Sequence, residues 1–104
     1  MRSEALKGHL DGLILATLST GPAHGYAIAH ALRGRSGGTF DLSEGTLYPA
    51  LHRLERAGLI DSKWSTEAGR RRRTYHLTRG GERALTERRR EWRLFASAVE
   101  AVLS

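Results

Sequence analysis

The chain has 104 residues, 39% of them hydrophobic and none of them cysteine, and its 17 basic and 11 acidic side chains leave a net charge of +6. That length supports one domain with a modest core, and the lack of cysteine excludes a disulfide framework or a thiolate metal site and fits a reducing compartment. No charge-free apolar run approaches the ~18 residues of a membrane span, the first residues lack the basic, apolar and small-residue order of a secretion signal, and the basic surplus permits binding to polyanions.

Leu6, Leu10, Leu13, Ile14, Thr17 and Leu18 recur at helical spacing and predict a first helix. Gly8 and Gly12 weaken it, each by up to ~1 kcal/mol relative to alanine, so packing must supply what propensity lacks. Gly21-Pro22 breaks the pattern. Tyr26, Ile28, Ala29, Ala31 and Leu32 predict a second short helix, which gives way at Gly34 to a loop through Gly37-Gly38. Phe40, Asp41 and Leu42 suit a very short strand.

A third helix follows, with Leu47, Leu51 and Leu54 as its inward stripe. Ser43 is one candidate N-cap, and Asp41 is another, with Glu44 at the third position of a capping box. Gly58 after Ala57 suits a left-handed C-cap. Pro49 interrupts the pattern, because a helix starting after Ser43 would need residue 49 to donate to the Gly45 carbonyl. Either the helix starts later or bends early, or Pro49 is a kink that shapes the end entering a groove. Leu59 to Ser65 and Arg72 to Leu77 read as the two strands of a hairpin. The run Arg70, Arg71, Arg72 and Arg73 is expected at its tip. Thr78 suits the N-cap of a last helix reaching about Leu103.

Helix, strand, arginine-rich turn and strand, in that order, suit a DNA-reading helix followed by a wing that grips phosphate. Thr46, His52 and Arg53 are candidates for the groove side, since arginine reads guanine and threonine meets a thymine methyl. Tyr48 can donate its hydroxyl to phosphate, and Lys63 can extend the phosphate footprint. Arg71, Arg72 and Arg73 cannot all point one way on an extended hairpin, so some reach phosphate and one can enter the minor groove. The segment 41–56 is itself slightly acidic, so its grip must come from neighbours. In the last helix, Leu85, Trp92 and Val99 are seven apart, with Ala96 between the last two. That stripe needs a partner surface, either its own domain or a second copy across a two-fold axis.

The five histidines make no metal set. His24 and His30 do not stack on one helical face, His9, His52 and His76 fall on separate elements, and no cysteine completes a site. No phosphate loop, nucleophile motif or acid pair appears, so no enzyme and no cofactor is expected. His24 is expected to brace the turn after Pro22 through a hydrogen bond.

Three stretches carry a family resemblance: HGYAIAHAL at His24 to Leu32, EGTLYPALHRLERAGLI at Glu44 to Ile60, and GRRRRTYHLTRGGERAL at Gly69 to Leu85. In this order they resemble the PadR-like transcriptional regulators, bacterial winged-helix repressors. The resemblance implies a mainly α fold with a small β-hairpin wing: a winged helix-turn-helix over 1–78 and a C-terminal dimerisation helix over 79–104. It implies a homodimer on an inverted-repeat operator, repression of a nearby gene, and a cytoplasmic, nucleoid-associated protein without membrane contact. Ser43, Thr46, Tyr48, His52 and Arg53 would belong to the recognition helix. Tyr26 would lie near the DNA backbone, and residues 71–75 would form the wing. The short tail is similar to the small subfamily with one dimerisation helix, some members of which line a flat drug chamber with a tryptophan. Trp92 stands at that position, so a small aromatic effector is a further expected partner. Dimerisation is expected through Leu6, Leu10 and Leu13 beside Leu85, Trp92, Ala96 and Val99. The contrasting expectation is a non-catalytic winged-helix module that binds a protein partner, or DNA without sequence preference.

Overall fold

A computed structural model describes residues 8–104. Leu6 lies outside the described residues. The first described helix, α1 (Leu10–Leu18), buries Leu10, Ile14, Leu15, Thr17 and Leu18. Thr17 tolerates burial because its hydroxyl donates to the Leu13 carbonyl at 3.0 Å. β1 (Ala23–His24) follows, and α2 (Gly25–Arg35) starts directly on it.

β1 is a strand that the sequence does not announce. It pairs with the third strand, Ala23 opposite Tyr75 and His24 opposite Thr74, in a sheet ordered β1-β3-β2. The strand expected over Phe40–Leu42 is absent: residues 40–43 have no regular structure. The reason lies in the sheet. A strand this short exists only when paired, and residues 40–42 pair with neither open edge of the sheet, β1 or β2.

α3 (Glu44–Arg56) begins immediately after Ser43, so Pro49 lies inside the helix and a later start is excluded. Ser43 is the N-cap residue, but its hydroxyl makes no capping bond to the backbone and pairs with Thr46 Oγ1 at 3.1 Å. Asp41 is exposed and does not cap. At the other end the chain turns as expected. Gly58 has φ +77°, its N–H donates to Glu55, and the Leu59 N–H donates back to Leu54, both at 3.0 Å.

β2 (Ile60–Glu67) and β3 (Arg70–Leu77) pair from Ile60–Leu77 to Glu67–Arg70. The loop between them is only Ala68-Gly69, both left-handed at φ +50° and +76°, as a two-residue hairpin turn requires. The hairpin is therefore longer than expected, and Arg70 to Arg73 lie in β3 rather than at the tip. The expectation erred by treating a charge run as a loop. Beyond Ile60 and Tyr75 the hairpin runs out into water and accommodates charge along its outer part.

α4 (Arg79–Leu103) is capped by Thr78, whose Oγ1 accepts from the Gly81 N–H at 3.0 Å. Leu85 is 4% exposed and joins Ile14, Leu15, Ile28, Leu47, Leu51, Leu54 and Ile60 in one core. Beyond Leu85 every residue of α4 except Ala96 is exposed. The helix thus runs off the domain, and the molecule measures 54 × 28 × 21 Å. The architecture is mainly helical, with a β-hairpin wing and a long C-terminal helix, as expected. Among the described residues no helix is long and apolar enough to cross a membrane.

Candidate nucleic-acid interface

α3 faces the core with Leu47, Ala50, Leu51 and Leu54. Its opposite ridge, at successive spacings of four, three and four residues, is Gly45, Pro49, His52 and Arg56, all exposed. Pro49 and Gly45 keep this ridge low at its N-terminal end. Thr46 and Arg53 flank it on one side, and Tyr48 on the other. Arg56 is a residue that the sequence reading missed. The signal was available: it continues the His52 ridge by one turn.

The two ion pairs among the described residues use Arg53 and Arg73 and leave Arg56 free. Arg53 Nη2 lies 2.6 Å from Asp11 Oδ1 on α1. Its guanidinium therefore leans toward α1, held by one oxygen, and its remaining N–H groups stay open to solvent. Tyr48 crosses the N-terminus of α2: a Cβ at Gly25 would stand 2.6 Å from the Tyr48 hydroxyl oxygen. That close approach explains the glycine between His24 and Tyr26. Tyr26 is 73% exposed, with its ring stacked 6.3 Å from His24 and 6.2 Å from His30.

Alternation along β3 divides the arginines. Arg71 and Arg73 stand opposite Thr66 and Trp64 on one face, and Arg70 and Arg72 stand opposite Glu67 and Ser65 on the other. Lys63, opposite Thr74, shares the second face. Arg72 Nη1 is 2.6 Å from His24 Nε2, while His24 Nδ1 is 3.3 Å from the Ala27 N–H. A neutral imidazole has one lone pair to offer. The ring can accept from Arg72 at Nε2 or from the Ala27 N–H at Nδ1, but not from both at once. His24 is thus placed both to brace its turn and to tie the turn to the wing. Arg73 is tethered to α3: its Nε donates to Ser62 Oγ at 2.8 Å, and its Nη2 lies 3.5 Å from Glu55 Oε2.

At the far end of the fold, α1 and α4 border an apolar groove of about 660 Å3, lined by His9, Leu13, Phe40, Trp92 and Phe95 among others. Trp92 meets His9 edge-on at 5.2 Å and Phe95 at 5.9 Å. Trp92 is 52% exposed and Phe95 57%. Leu10 does not line this groove, and Leu85 forms only part of its floor. Each is 4% exposed in its own core and has nothing left to offer a second chain. Among the described residues no three His, Asp or Glu side chains gather at a metal site.

The sequence pattern of the Transcriptional regulator PadR-like family matches residues 14–87. A transcriptional regulator from Clostridium thermocellum superposes with a TM-score of 0.90 at 30% identity, over 100% of this chain and 99% of that one. A PadR family transcription regulator from Clostridium difficile does so with a TM-score of 0.81 at 36% identity, over 92% and 99%. Bacillus subtilis PadR, solved in complex with operator DNA, matches with a TM-score of 0.68 at 25% identity, over 75% of this chain and 45% of that one.

Proposed function

This chain belongs to the PadR-like family of transcriptional regulators, non-catalytic proteins that bind DNA and dimerise, and we propose that it is a repressor seated as a homodimer on an inverted-repeat operator in the nucleoid. The observation that carries the proposal is the pairing of an outward ridge on α3 with an arginine-lined hairpin tethered to the same helix through Glu55. A low ridge of glycine, proline, histidine and arginine suits groove entry, and the hairpin suits the flanking phosphates.

His52, Arg56 and Thr46 face the bases in this reading, with Arg53 swung in from Asp11. Ser43, Tyr26 and Tyr48 contact the backbone near the helix N-termini. Lys63 and Arg70 to Arg73 supply charge, with Arg73 partly neutralised by Glu55. Residues 1–78 act as the reading unit and 79–104 as the dimerisation helix. The interface uses Leu13, Trp92, Ala96 and Val99, extended by the exposed Phe95. A planar aromatic effector fits between the helices beside Trp92; Arg88 and Arg89 line the groove and favour a neutral or anionic compound, while Glu91, which also lines it, leaves room for a cationic one. The effector releases DNA by favouring a different spacing of the two reading heads.

Selection of bound fragments from the source genome tests the core of this, followed by titration of the recovered site against random duplex at several salt concentrations. A salt-dependent complex that random DNA cannot compete away is expected. Replacing Arg71 and Arg72 with alanine should weaken both DNAs and lower the salt slope by about two per subunit. Equal affinity for every duplex would leave an architectural protein, and no DNA binding would leave a module for a protein partner.

A further inference from the structure

Trp64 has no role in the core. It is 54% exposed, half-way along a hairpin whose outer part runs out into water. Two guanidinium groups nevertheless lie against it: Arg71 Cζ at 4.9 Å and Arg73 Cζ at 5.6 Å from the ring centroid. Both arginines reach the indole from the neighbouring strand, Arg73 as its direct cross-strand partner and Arg71 two pairs nearer the turn, the next on that face.

The contacts continue toward the reading helix. Glu55 Oε2 on α3 accepts from Ser62 Oγ at 2.6 Å, and Ser62 Oγ accepts in turn from Arg73 Nε at 2.8 Å. Glu55, Ser62, Arg73, Trp64 and Arg71 thus form one unbroken series from the end of α3 to the outer part of the wing. Its members differ in what they leave free. Arg73 is held by a carboxylate and a hydroxyl, so its charge is partly answered within the protein. Arg71 has no carboxylate partner among the described residues. It lies over the indole face, and a cation–π contact of that kind leaves guanidinium N–H donors unused.

We propose that Trp64 is a positioning residue for DNA binding: its indole lays Arg71 flat and extended on the wing so that the guanidinium edge meets a phosphate already ordered. An arginine free in water must lose its rotamer freedom when it binds. Trp64 removes that loss in advance, and the series to Glu55 fixes where the ordered group stands relative to α3. The inference rests on the reading of the hairpin as a phosphate-gripping wing.

The test compares Trp64→Leu, which keeps an apolar side chain without a π face, with Trp64→Phe, which keeps the π face. Each is titrated against the selected operator and a random duplex, alone and combined with Arg71→Ala. Trp64→Leu should weaken both duplexes by about fivefold per wing. Trp64→Phe should stay within about twofold of the wild type, because a phenyl face also attracts the cation. In the Arg71→Ala background, Trp64→Leu should change nothing further. A Trp64→Leu effect that persists in full without Arg71 would mean that the indole touches DNA itself and would overturn the proposal, as would a Phe variant no better than Leu. One readout is independent of folding losses. The emission that disappears in Trp64→Phe isolates the Trp64 signal, and Arg71→Ala in otherwise intact protein should shift it; an unshifted signal would refute the stack. Wild-type protein that bound neither duplex would overturn the functional reading along with this inference, and would be seen before any variant was compared.

Discussion

Adjacent glycines at the start of α4 should respond to alanine in opposite ways. A Cβ on Gly81 would overlap the Leu59 carbonyl oxygen outright and stand 3.0 Å from its carbonyl carbon and 3.1 Å from Leu77 Cδ2. Two of these atoms are backbone, so no rotamer change relieves the clash. Relaxed C···O contacts lie at ~3.3–3.6 Å, and α4 must therefore withdraw from the β2 start by roughly an ångström. That movement pulls on the Thr78 N–H bond to Leu59 at 3.2 Å, on the Thr78 hydroxyl bond to Gly58 at 2.6 Å and on the burial of Leu85. Two weakened hydrogen bonds at ~1 kcal/mol each and overpacking strain of ~1–3 kcal/mol outweigh the ~1 kcal/mol of helix propensity that alanine returns. Gly81→Ala should lose about 3 kcal/mol, or roughly 12–24 °C in melting temperature for a domain of this size. At Gly80 the nearest atom to a Cβ is the Gly58 oxygen at 3.4 Å. Gly80→Ala should therefore match or modestly exceed the wild type. Thermal melts of both variants at one protein concentration decide the matter, because dimerisation makes the midpoint concentration-dependent. A Gly81→Ala protein as stable as Gly80→Ala would refute the close packing of α4 on β2.

Trp92→Asp should dissociate the dimer without unfolding the protomer. The exposed half of the indole is worth about 2–3 kcal/mol per subunit when covered, and sedimentation velocity paired with circular dichroism would separate the two outcomes. Arg53→Ala should narrow the affinity gap between operator and random DNA by ~1–3 kcal/mol, with little effect on stability because its pair with Asp11 is surface-exposed. Equal losses on both duplexes in competition titrations would place Arg53 on phosphate. Burial pushes the Tyr75 hydroxyl above its ordinary 10.0, against a smaller opposing pull from Arg73. The folded state thus holds this proton longer than the unfolded chain, so stability is full below pH 10 and falls as pH rises above that value toward the folded pKa. Denaturant midpoints measured across that range should fall less steeply for Tyr75→Phe.

Periodicity and punctuation are local properties, and the sequence alone determined what depends on them. The stripe of Leu47, Leu51 and Leu54 set the inward face of α3, Gly58 its left-handed end, and Thr78 the start of α4. Each acts within a few residues of itself, so no distant neighbour could override it. The motif blocks likewise carried the family. Partners far apart in the chain were left to the tertiary structure. β1 is a strand only because β3 offers it an edge. The arginine run became strand because Ala68-Gly69 closes a two-residue turn and the paired hairpin extends to it. Leu10 and Leu85 share a helical stripe with Leu13 and Trp92, but the depth at which α1 and α4 meet sends the first two into the core and leaves the others outside. The same holds for the interface with nucleic acid. That Arg53 leans on Asp11, Arg72 on His24 and Arg73 on Glu55 follows from which surfaces fold together. A sequence fixes how many arginines a chain has; the packing decides which of them are still free to meet a phosphate.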